Sequence, residues 1–157
     1  MEGVGSSSKH HDPVSKQDIN QLWETGILGT KAHTQLLNAV FFTTGLYCCL
    51  CGGEEHHSLC FSDCKRNLDP DMWTYTERAS KNRQGGFLNS KLDHKIVPIH
   101  AIHSADERRP VSVLDLYFAK VPVEAIRADS AFYLCPLERM PDDAVLPWQA
   151  VHGKEQA

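Results

Sequence analysis

Six cysteines stand at positions 48, 49, 51, 60, 64 and 135, and a histidine pair, His56 and His57, falls among them. These residue types bind zinc or attack carbonyl carbon. Cys60 and Cys64 are four apart with both histidines just upstream, so a compact Cys/His cluster can be written. It lacks the paired cysteine spacing, followed by a paired histidine spacing, that closes a zinc finger. No metal and no cofactor is therefore expected. Cys48, Cys49 and Cys51 crowd one short apolar stretch, unlike the spread spacing of a disulfide framework. The N-terminal MEGVGSSSKHHDPVSK has no apolar signal core, so the thiols are expected to be reduced, and buried or half-buried. A thiol beside an imidazole can act as a nucleophile, and Cys51 with His56 or His57 is the pair on offer. The chain holds no P-loop, no dinucleotide fingerprint and no G-x-S-x-G.

The second kind of chemistry is phosphate binding by cations. The chain carries 16 basic and 20 acidic side chains, a net charge of −4. Residues 1–64 are net −4 and residues 110–157 net −3, whereas residues 65–109 carry nine basic and six acidic groups, net +3. Lys81, Arg83, Lys91 and Lys95 lie in that positive segment. This is a far weaker footprint than the basic stripe of a dedicated nucleic-acid binder.

The elements that must position these groups follow from pattern. At 157 residues, 41% of them hydrophobic, the chain fits one domain with a real core. No apolar run approaches the roughly 20 residues that cross a bilayer, so no membrane partner is expected. Residues 1–16 read as a disordered tail, 17–150 as the domain and 151–157 as a second tail. Ile19, Leu22 and Trp23 mark a short helix with Asp18 near its start. Thr34 is expected to cap a strong apolar helix, TQLLNAVFFTTGLYCCL, burying Leu36, Leu37, Val40, Phe41 and Tyr47. A helical stretch, EEHHSLCFSD, follows Gly52-Gly53. Trp73, Tyr75 and Thr76 form a strand, residues 80–86 a polar turn, and residues 95–100 a second strand whose Pro98 suits a sheet edge. Pro110 starts and Pro122 stops a helix striped by Val113, Leu114, Leu116 and Tyr117. Residues 131–134 are extended, and the Pro-interrupted remainder is expected to lack regular structure. The fold class is α+β, mostly helical, with a small β-hairpin or three-stranded sheet.

Four stretches together resemble one family: LWETGILGTKAHTQLLNAVFF (22–42), LCGGEEHHSL (50–59), YTERASKNRQGG (75–86) and RPVSVLDLYFAKVP (109–122). They resemble the domain of unknown function shared by zinc finger MYM-type proteins and the glutamine-rich proteins of animals. That domain is thought to descend from the tyrosine recombinase of Crypton DNA transposons. The resemblance covers roughly residues 18–150 and implies a recombinase-like catalytic-domain frame that is incomplete at its C-terminus.

Recombinase chemistry needs a tyrosine nucleophile and arginines, a lysine and a histidine around the phosphoryl group. By the resemblance, Cys51 stands where the first arginine belongs, and a thiol cannot donate bidentately to phosphate. Lys81 matches the family lysine in the hairpin turn; Glu55 is the other survivor. No His-x-x-Arg occurs, so the tyrosine has no setting. Losing one such donor commonly costs ~10²–10³ in rate. No enzyme, no catalytic residue and no small-molecule substrate is therefore expected. Cys51 beside His56 becomes a coincidence of position. Trp23 reads as core, and Glu54 and Glu55 as partners of a helix dipole.

Three functions remain open. The domain can bind nuclear proteins without catalysis, nuclear placement resting on the resemblance. It can retain nonspecific DNA binding through Lys81 and Arg83. It can be a non-functional fragment, in which case parts of Leu36, Val40, Phe41 and Leu116 are left exposed.

Overall fold

The computed structural model describes residues 13–50, 53–68, 71–77, 95–101, 108–136 and 148–149, with the side chains of 135, 136, 148 and 149 excluded. Its element order is α1 (Lys16–Glu24), α2 (His33–Tyr47), α3 (Gly53–Ser58), β1 (Cys64–Arg66), β2 (Met72–Thr76), β3 (Ile96–His100), α4 (Pro110–Lys120), β4 (Cys135–Pro136) and β5 (Trp148–Gln149). The fold is α+β. Strands β1, β2 and β3 form an antiparallel sheet in chain order, and β4 pairs with β5.

Local chemistry sets the helix ends. Ser15 caps α1: its Oγ accepts from the Asp18 N–H at 3.1 Å, while the Asp18 carboxylate accepts from the Ser15 N–H at 2.9 Å. These two bonds hold the Asp18 carboxyl below its ordinary range. The helix thus begins at Lys16, one residue inside the expected tail. For α2 the expected cap is corrected. Thr34 lies within the helix and Ala32 is the cap residue, with Gln35 Oε1 accepting from the Ala32 N–H at 3.2 Å. Cys48 closes α2, and Cys49 turns the chain away at φ +57°. Pro110 occupies the first turn of α4, as its ring geometry favours.

The helical stretch expected over residues 54–63 is also corrected. Helix α3 ends at Ser58, and Phe61–Asp63 is a separate short 3₁₀ turn that leads into β1, a strand the sequence reading missed. The cause is a distant partner. Phe132 N–H donates to Leu59 O at 2.9 Å and Phe61 N–H to Ser130 O at 3.2 Å, so this backbone pairs with the extended 131–134 segment. A third correction concerns the C-terminal stretch, where β4 and β5 form a two-residue ladder despite the prolines.

Helix α2 packs on α4, and α4 also touches β3. Leu36, Ala39 and Val40 of α2 join Val111, Val113, Leu114 and Tyr117 of α4 in one buried cluster with Trp73, Tyr75 and Ile99 of the sheet. Pro98 sits on β3, an edge strand of the described sheet, where its missing N–H costs least. Side chains alternate along β2, with Trp73 and Tyr75 inward and Met72, Thr74 and Thr76 half-buried on the other face.

Two polar clamps fix these layers. Asp115 of α4 accepts from Arg66 Nη2 at 3.0 Å and Nε at 2.9 Å, and from Trp73 Nε1 at 2.8 Å. One carboxylate therefore ties α4 to β1 and β2. Tyr117 Oη, fully buried, donates to Phe132 O at 2.5 Å and accepts from Leu134 N–H at 3.2 Å, pinning the extended segment to α4.

Candidate functional site

The described polar side chains that converge most closely lie where α2, α3 and the 131–134 segment meet. Thr44 stands in the last turns of α2, His56 in α3, and Tyr133 on the extended segment. Tyr133 Oη lies 2.6 Å from Thr44 Oγ1 and 2.6 Å from His56 Nδ1. The His56 ring stacks on Phe41 at 4.0 Å between centroids, 19° from parallel. Gly45 makes room for it: a β-carbon there would come within 3.3 Å of His56 Nε2.

The proton inventory gives this cluster a direction. Thr44 Oγ1 lies 3.0 Å from both the Val40 and Phe41 carbonyl oxygens, so its single hydrogen belongs in that fork. The short contact to Tyr133 is then donated by the tyrosine. With its hydrogen so placed, Tyr133 Oη accepts from His56, which fixes the Nδ1–H tautomer. Donation runs from His56 through Tyr133 and Thr44 into the carbonyls of α2. Burial lowers the affinity of His56 for a second proton, with nearby Glu55 opposing the effect.

That polarity is opposite to nucleophile activation, which needs an imidazole nitrogen able to take the hydroxyl proton. Burial also raises the hydroxyl pKa of Tyr133, and the same cause raises Tyr47, Tyr75 and Tyr117, which are the chain's other tyrosines. The buried Cys48 thiol is likewise pushed up to about 12, and that of Cys64 higher still. Cys48, Cys49, Cys60 and Cys64 are all thiols. Among the described residues, no group of three or more His, Cys, Asp or Glu side chains could hold a metal ion. No helix of the described residues is long and apolar enough to cross a membrane.

Lys81, Arg83 and Cys51 lie outside the described residues. Glu54 and Glu55 open α3. Trp23 is partly buried against the core, and the Arg108 guanidinium lies 5.7 Å over its ring while donating to Asn20 Oδ1 at 3.2 Å. Two cations of the net-positive segment, Arg66 and Arg108, are thus engaged within the fold. Thr44 and Tyr133 were missed by sequence reasoning. They are separated by 89 residues, and neither spacing nor residue type links them.

The fragment reading exposed Leu36 and Val40, and this is corrected: both are fully buried beside α4. Phe41 is 50% exposed, as is Leu46 at 51%. At about 100° per residue, Leu37, Phe41, Gly45, Asn38, Phe42 and Leu46 fall on the arc of α2 opposite Leu36, Val40 and Thr43; Leu37 and Phe42 pack against the core, and Asn38 Nδ2 donates to Ile27 O at 3.0 Å. His56 lies over Phe41 and Gly45, so Phe41 and Leu46 are the large apolar side chains of α2 that stand half exposed.

No curated protein and no solved structure matches the chain. A family model for the Domain of unknown function (DUF3504) matches residues 13–151, a span that takes in every element from α1 to β5. With the match covering nearly the whole chain, this protein belongs to the DUF3504 family.

Proposed function

We propose that this protein is a catalytically inactive, transposon-derived domain with a tyrosine-recombinase-like frame, and that it works in the nucleus by binding other proteins. The observation that carries the reading is the half exposure of two large apolar side chains, Phe41 and Leu46, on a helix with no Asp, Glu, Lys or Arg. The absence of catalysis is supported by the tyrosines, whose hydroxyls are shifted away from the phenolate, and by a histidine that already carries its proton toward Tyr133. The recombinase ancestry and the nuclear setting rest on the sequence resemblance.

Charge favours a protein partner over DNA. Asp115 offsets the charge of Arg66, which leaves less of the +3 segment to meet phosphate. The deciding experiment compares two variants of the full chain in partner capture. Phe41→Asp should abolish it, and the double variant Lys81→Glu, Arg83→Glu should leave it intact. The reverse outcome, joined to salt-sensitive binding of duplex DNA by the wild type, would make the basic segment the working surface.

A further inference from the structure

We propose that His56 is a latch for helix α3, holding it against α2 and the 131–134 segment at neutral pH and releasing it in acid while the rest of the fold stays assembled. Of the six residues of α3, only His56 is buried. No residue of this helix belongs to the apolar cluster that joins α2, α4 and the sheet. A helix shorter than about 12 residues is marginal in water unless packing holds it, and here one imidazole supplies that packing. It stacks on Phe41 at 4.0 Å, bonds Tyr133 Oη through Nδ1 at 2.6 Å and sits over Gly45. Nε2, turned toward Gly45, has no hydrogen-bond partner among the described residues. A second proton placed there creates a buried cation with an unpaired N–H.

Few charges surround the ring. Burial opposes the imidazolium, and the neighbouring Glu55, the smaller effect, favours it. Glu54 and His57 stand exposed on the same helix. Helix α2 carries no Asp, Glu, Lys or Arg; His33 lies at its far end, and Tyr47 and the Cys48 cap at its near end. The extended segment brings Tyr133. Burial raises the pKa of both tyrosines and of Cys48, so all three stay neutral in acid. The docked imidazole lies below the ordinary 6.5 and the released one returns to it. Docking is therefore at full strength above pH 6.5 and weakens about tenfold per pH unit down to the depressed value. The break is local. Leu59 O, just past α3, accepts from Phe132 N–H at 2.9 Å, and Tyr133 keeps its 2.6 Å bond to Thr44, so the 131–134 segment stays in place. Release bares the face of Phe41 that the imidazole covers.

The test is an NMR titration of the full chain from about pH 7.5 to about 4.5, following the His56 ring and the backbone amides. Amides of residues 54–58 should move to unfolded shifts together with the ring, at a midpoint below pH 6.5, while those of α2 and α4 hold. Glu55→Gln removes the carboxylate that favours the cation and should shift the midpoint to lower pH. His56→Asn cannot titrate and should abolish the transition, with near-UV circular dichroism establishing that the variant is folded. Should it fail to fold, the Glu55→Gln midpoint decides. Amides of α3 that keep their folded shifts throughout, whether or not the ring titrates, overturn the latch. Loss of the α2 and α4 shifts at the same midpoint overturns it as well, because the transition is then global. So does a release that persists in His56→Asn, or a midpoint that Glu55→Gln leaves unmoved.

Discussion

At the scale of single residues, the ordering of hydrogens around Tyr133 makes its hydroxyl a structural link. It bonds two elements at once, at 2.6 Å each. Tyr133→Phe keeps the ring and should destabilise the fold by about 1–3 kcal/mol, as buried partners left unsatisfied do, read from urea denaturation. His56 gives a pH signature with a definite sign. Its pKa in the folded state lies below the ordinary 6.5, so the unfolded chain binds more protons in acid. The stability it contributes is complete above pH 6.5 and is lost as pH falls through the depressed folded value. His56→Asn, whose amide can still donate toward Tyr133, should flatten that part of the stability profile. Thiol reactivity is a third readout. Cys49 is exposed while Cys48 and Cys64 are buried with raised pKa values. A disulfide reagent at pH 8 should modify Cys49 promptly and reach the other two at the rate of unfolding.

Among the elements, α2 buries Leu36, Ala39 and Val40 completely but leaves Phe41 and Leu46 half exposed. Leu36→Ala removes a fully buried side chain at the α4 contact and should cost about 2–5 kcal/mol. Phe41→Ala, at a position half open to solvent, should cost about 1 kcal/mol or less. Equal losses from the two would contradict the division. The Asp115 clamp acts between elements rather than within one. Asp115→Ala should cost about 1–3 kcal/mol because Trp73 Nε1 and the Arg66 guanidinium lose their acceptor together. Asp115→Asn, which can still accept from Trp73, should cost less. Both carboxylate and guanidinium are partly solvated, which keeps these effects below those of a fully buried ion pair.

On the scale of the whole molecule, one apolar cluster spans α2, α4, the sheet and the 131–134 segment. Elements that share a core unfold together. Near-UV and far-UV signals should therefore report one coincident thermal transition, whereas separated transitions would revive the idea of an incomplete fold. Charge is organised differently. It follows chain segments, with the positive one running from residue 65 to 109, and the exposed Arg66 and Arg108 of that segment lie along the surface against Asp115 and Trp23.

Periodicity and punctuation in the sequence determined α1, α2, α4, β2 and β3, with Pro98 at an edge and prolines bounding α4. These signals are local: apolar spacing, caps and ring constraints act within a few residues. Only the tertiary structure decided where α3 stops, because Leu59 bonds to Phe132 and Phe61 to Ser130, residues far along the chain. It likewise decided the Thr44–Tyr133–His56 cluster, since three residues of ordinary type acquire their roles only by meeting. The half exposure of Phe41 was likewise settled only by the tertiary structure, since the sequence offered it both as a buried residue of α2 and, in the fragment reading, as one left exposed. An apolar helix announces that it wants burial all round, but which half finds a neighbour depends on how many layers the fold supplies.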